Sequence, residues 1–151
     1  MSLRQHLTQQ QQRLQDLLSL LEQEQRELSS GTINGEQLQV LAQQKQELQQ
    51  QLEQAETQRR KAQQKLGYSN DADGAKAAAA AAGCAEVWQQ LLATTQRVAQ
   101  LNQLNGELIQ HRLHHNQHML NILQDAAGTS GSLYGADGNQ FKTPSRINSK
   151  A

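Results

Sequence analysis

Leucine recurs at Leu3, Leu7, Leu14, Leu17, Leu21 and Leu28 in alternating steps of three and four. Gln10 and Glu24 occupy the two positions that continue the pattern without an apolar side chain. Such spacing places one narrow stripe along a helix, the seam of a coiled-coil-like contact. Ser29-Ser30-Gly31 ends this helix, with Gly31 available for a left-handed cap. A second stripe starts after Asn34, an N-cap with Gln37 three residues on in a capping-box pattern and Ile33 and Leu38 placed as a staple. It runs through Leu38, Leu41, Leu48, Leu52, Ala55, Ala62 and Leu66, interrupted by Lys45 and Arg59. The short connection predicts that the first two helices are antiparallel neighbours.

Gly67 to Gly74 is turn-forming, and Ala75 to Ala82 is almost pure alanine before Gly83. Alanine favours helix but carries little area to bury, so this stretch reads as a spacer or helical lead-in with room for a short extra helix. The third long helix is expected from about Cys84 to Ala127. Its apolar set (Val87, Trp88, Leu91, Leu92, Val98, Leu101, Leu104 and onward) is broader than a seam, which suits packing on both helices of the hairpin. At 1.5 Å per residue, about 44 residues span about 66 Å, against about 48 Å for the second helix. An overhang of about 18 Å is therefore expected, carrying Met119, Ile122 and Leu123 as apolar surface in need of a partner.

The expected class is all-α: an antiparallel bundle of three long helices, about 2–30, 34–66 and 84–127, with a linker at 67–83 and a flexible tail at 128–151. The tail is Gly- and Ser-rich and has too little apolar surface to order itself. Only Leu133 and Tyr134 stand out in it.

Composition narrows the function. Acidic and basic residues balance at 14 each, so the basic patch of a nucleic-acid binder is not expected. No apolar run reaches the roughly 20 residues that span a bilayer, and the N-terminus has no signal-like apolar stretch. With one cysteine, Cys84, no internal disulfide can form. These features fit a cytoplasmic protein without membrane insertion. Aromatic residues are 3% of the chain, so the core is thin and leucine-based, unsuited to a large ligand cavity.

Candidate chemistry is sparse. The glutamine runs lie within helical repeats and read as solvated faces. His111, His114, His115 and His118 form H-x-x-H-H-x-x-H on one helix. Neither H-E-x-x-H nor Glu-x-x-His accompanies them, so they read as a polar or partner-facing surface, pH-sensitive by nature, and no metal or cofactor is expected. Cys84 has no evident base, and no phosphate loop or nucleophile elbow occurs, so catalysis is not expected. In Asn102 to Ile109 (NQLNGELI), Gly106 sits inside a helix at a cost of ~1 kcal/mol relative to Ala. A kink or close helix approach is the expected compensation. Asn102 and Asn105, three apart, are candidates for a buried amide that fixes helix register.

Taken together, the leucine-striped hairpin, Leu66-Gly67-Tyr68, the Trp88 helix, Asn102-Gln103-Leu104-Asn105-Gly106-Glu107-Leu108-Ile109 and Leu133-Tyr134-Gly135-Ala136-Asp137-Gly138 resemble the FlgN family of flagellar type III export chaperones. The alanine tract and the histidines depart from that pattern. The resemblance implies binding of the terminal helical segments of hook-associated proteins, prevention of premature assembly and delivery to the export gate. Leu108, Ile109, Met119, Ile122 and Leu123 are the implied client contacts, and Leu133 and Tyr134 the gate-docking pair. A homodimer in the absence of client is compatible with it. A self-associating coiled-coil scaffold and a histidine-based metalloenzyme are the competing classes.

Overall fold

The computed structural model describes residues 1–128, all of whose regular elements are helices: α1 (Leu3–Ser29), α2 (Gly35–Lys65), α3 (Ala72–Ala81) and α4 (Ala85–Gly128). The three long helices and the additional short one in the alanine stretch agree with expectation. The chain divides into two compact units, Met1–Leu108 and a second from Ile109 onward, so α4 contributes to both.

Helix ends follow from local chemistry. Ser2 caps α1 in a full capping box, accepting from the Gln5 backbone N–H while the Gln5 side chain accepts from Ser2. At α2, Asn34 Oδ1 accepts from Gln37 N at 3.1 Å. The left-handed glycine stops are Gly67 (φ 91°) and Gly83 (φ 71°). Each closes a paired cap: Gly67 N donates to Gln64 O and Tyr68 N to Gln63 O, while Gly83 N donates to Ala80 O and Cys84 N to Ala79 O. Gly31 does not take the role expected of it. Ser30 ends α1 in an extended conformation (φ −74°, ψ 158°), its N–H bonded to Glu27 O.

Within the first unit, α1 is the central element. Its buried residues are Leu3, Leu7, Gln10, Leu14, Leu17, Leu20, Leu21, Glu24 and Leu28, the seam read from the sequence plus Leu20. Contacts Gln10–Glu56 and Glu24–Lys45 run it antiparallel to α2. Contacts Arg4–Gly83, Gln11–Thr94 and Leu21–Asn105 run it parallel to the first part of α4. One apolar cluster joins Leu3, Leu7 and Leu14 to Ala75, Ala78, Ala79, Cys84, Trp88 and Leu91. A second joins Leu17, Leu20 and Leu21 to Leu41 and Leu101. Each fully buried leucine contributes roughly 1.5–3 kcal/mol.

One face of the alanine tract belongs to the core, which the reading of it as a spacer did not anticipate, while Ala77 and Ala80 to Ala82 are exposed. Ala75, Ala78 and Ala79 are at most 5% exposed. Small side chains let a short helix lie close against its neighbours, so α3 needs no large residues to belong to the core. Gly74 serves the same close packing: a Cβ there would collide with the backbone carbonyl of Ser69.

Candidate functional site

Polar interruptions of the leucine stripes, Gln10, Glu24, Lys45 and Arg59, take part in contacts between helices. Arg59, 5% exposed, lies with its guanidinium carbon 5.1 Å from the centre of the Trp88 ring. It donates to Glu56 at 2.8 Å and to Gln63 at 2.7 Å. Gln10 of α1 donates to the same Glu56 at 2.8 Å, and Arg60 at 2.6 Å. Burial opposes ionisation of Glu56, but the hydrogen bonds from Arg59, Gln10 and Arg60, with the Arg59 charge, prevail and bring its pKa down to about 2. Gln63 passes the network on by donating to the Ser69 carbonyl before α3.

A second node joins three helices. Asn105 of α4, completely buried, donates through Nδ2 to Leu21 O and to Glu24 Oε1, both at 2.9 Å. Lys45 of α2 approaches the same Glu24 oxygen at 3.3 Å. Of the two asparagines in NQLNGELI, Asn105 bonds across to α1, whereas Asn102 is exposed. Gly106 is exposed too, and a Cβ there would meet nothing within 4 Å. Close approach of another helix is therefore not what its glycine serves among the described residues.

A cleft of about 980 Å³ is lined by Leu52, Glu56 and Arg60 of α2 and Trp88, Leu91 and Leu92 of α4, with Gln10 and Leu14 of α1 alongside. Of its lining carboxylates, Glu56 is engaged with Arg59 and Arg60, Glu53 and Asp71 line it as well, and it contains neither cysteine nor histidine. Cys84 is elsewhere, 1% exposed, its Sγ 3.4 Å from Ala82 O. Among the described residues, no three His, Cys, Asp or Glu side chains gather as a metal site, and no helix is long and apolar enough to cross a membrane.

The helical residues 109–126 have a different surface. Ile109, Leu113, Met119, Leu120, Ile122 and Leu123 are 38–60% exposed. At 100° per residue these six fall within roughly half the helix circumference, together with half-buried Leu108. The five residues singled out from sequence as client contacts are thus on one side of α4. Leu113 and Leu120 belong to the same side, and helical spacing alone could have added them. His111, His114, His115 and His118 are all exposed, His115 at the margin of the same side and the other three beside it. Leu133 and Tyr134 lie outside the described residues.

The sequence reading missed Glu56. Its signal was present in the spacing, since Arg59 and Arg60 follow it by three and four residues and Gln63 follows Arg59 by four.

Among the described residues every regular element is a helix, and the second unit presents an apolar helical side of the kind that binds other proteins. The FlgN protein family model matches residues 1–141. The chain is 36% identical over 125 residues to the flagella synthesis protein FlgN of Salmonella typhimurium, covering 83% of this chain and 80% of that one. It is 34% identical over 130 residues to the flagella synthesis protein FlgN of Escherichia coli K12, covering 86% and 83%. No solved structure matches significantly. The chain belongs to the FlgN family, a family of chaperones and not of enzymes.

Proposed function

We propose that this chain is a cytoplasmic export chaperone for flagellar hook-associated proteins. It binds their terminal helical segments, prevents their premature assembly and delivers them to the type III export gate. Membership of a family whose relatives are flagella synthesis proteins supports the flagellar role. The observation that carries the binding mode is the exposed apolar side of residues 109–126. An apolar half-surface of this kind is what an amphipathic client helix covers when it pairs through residues spaced i, i+3, i+4 and i+7.

Leu108, Ile109, Met119, Ile122 and Leu123 make the client contact in this account, with Leu113 and Leu120 added by their exposure on the same side. Burying each such side chain contributes roughly 1.5–3 kcal/mol before the costs of association. Without client, a second copy can cover the same surface, so a homodimer of the free chaperone fits the mechanism. Leu133-Tyr134, which resembles the family's terminal tyrosine motif and falls inside the family match, is the proposed gate-docking element. Within the first unit, Asn105 holds the first part of α4 in register on α1.

Co-purification tests this reading. The full chain should carry a hook-associated protein through purification, and the Ile122→Asp/Leu123→Asp variant should lose it while remaining helical. Undiminished co-purification of that variant would displace the client site from this part of α4.

A further inference from the structure

His111, His114, His115 and His118 are absorbed neither by the core nor by the proposed client contact. Their helix is continuous across all four positions, and all four side chains are exposed. The spacing i, i+3, i+4, i+7 sets them in a sector of roughly 100°. His111 with His115, and His114 with His118, are each separated by four residues, about 6 Å along the axis.

We propose that this histidine face chelates a divalent d-block cation of the nickel, copper or zinc class through an i,i+4 imidazole pair. Two imidazole nitrogens at about 2.0–2.1 Å from one ion are within reach of side chains one helical turn apart. Exposure favours the arrangement, because water fills the remaining coordination positions and no ligand has to be drawn out of a core. Neutral imidazole is a good ligand for these ions and a poor one for magnesium or calcium, which take oxygen. The two pairs share the same turns, so the charge of a first ion opposes a second. The tight phase is therefore one ion per chain. Coordination ties one turn to the next, so metal also stabilises the helix around residues 111–118. Protons compete for the same nitrogens, and binding weakens in acid.

The test is titration of the tag-free full chain with Ni²⁺ alone, followed by calorimetry, with far-UV circular dichroism confirming helicity. Two double variants keep the same number of histidines and differ only in spacing. His114→Ala/His118→Ala retains the His111–His115 pair and should bind one Ni²⁺ within about threefold of the unmodified chain. His111→Ala/His118→Ala leaves adjacent His114 and His115, which point about 100° apart. It should bind at least about tenfold more weakly, because the second imidazole is no longer held near the first. Equal affinity of the two variants would show histidines acting singly and overturn the proposal. So would an unmodified chain that takes up no Ni²⁺.

Discussion

The Asn105 amide of α4 donates to the Glu24 carboxylate of α1 across 2.9 Å, with both residues buried. Lys45 of α2 meets the same carboxylate. A buried acid inside a leucine seam is costly unless its lone pairs are occupied and its charge is balanced. Here an amide does the first and a lysine the second, so three helices are locked in one axial register.

Replacing Asn105 with Ala should therefore destabilise the chain by about 2–3 kcal/mol, since one of its two hydrogen bonds goes to a charged acceptor. Asn105 Oδ1 is buried with no hydrogen-bond partner among the described residues, so its removal offsets part of the loss and places the cost toward the lower end of that range. Asn105→Asp should be worse than Asn105→Ala at neutral pH because it opposes two carboxylates, and the gap should close in acid. Urea unfolding of both variants at two pH values reads this directly.

Glu56 sets an acid limit on stability. Its carboxyl is held down to about 2 in the folded chain against an ordinary value of 4.5. The contribution is complete above pH 4.5 and is lost as pH falls from 4.5 toward 2. Its side chain is about a third exposed, so solvent screening moderates the effect. Glu56→Gln should lower stability at pH 7 and flatten the decline between pH 4.5 and pH 2. An unchanged acid profile in thermal melts would mean that the Glu56–Arg59 pairing does not control it.

Two glycines should respond in opposite directions to alanine. At Gly74 a Cβ would strike the Ser69 backbone carbonyl, so Gly74→Ala should cost about 1–3 kcal/mol through overpacking. At Gly106 the space is open, so Gly106→Ala should stabilise α4 by about 0.5–1 kcal/mol. If Gly106→Ala nevertheless impairs client binding, the glycine serves the bound state. Thermal unfolding and client binding, measured on the same two proteins, separate these cases.

Tyr134→Ala is expected to weaken docking to the export gate and leave client affinity unchanged, as measured by separate pull-downs with gate component and client. Loss of both activities would assign the tail a part in holding the client.

Much of the fold was legible in one dimension. The α1 seam from Leu3 to Leu28 and the polar breaks at Gln10, Glu24, Lys45 and Arg59 are periodic facts, and periodicity reports a helix face. Which residue answers each break was not legible. Pairing Glu24 with Asn105, or Arg59 with Trp88, depends on how helices slide past one another, and a repeat of three and four looks the same after a seven-residue slip. The alanine tract misled for another reason: its burial comes from close approach, which residue size permits but does not announce. Gly31 misled because a glycine after a helix signals only freedom to turn left-handed. Gly67 and Gly83 use that freedom because the chain there must reverse onto its own last turn. For the candidate site, helix length pointed to Met119, Ile122 and Leu123, the resemblance implied Leu108 and Ile109 beside them, and exposure added Leu113 and Leu120.

The most direct test of the central claim is calorimetric titration of the full chain with C-terminal helical segments of its host's hook-associated proteins, using a flagellin segment as control. The account predicts saturable one-to-one binding of the hook-associated segments alone, abolished by Ile122→Asp/Leu123→Asp. Absence of binding to every hook-associated segment, with self-association through the same helix, would contradict it and favour a coiled-coil scaffold.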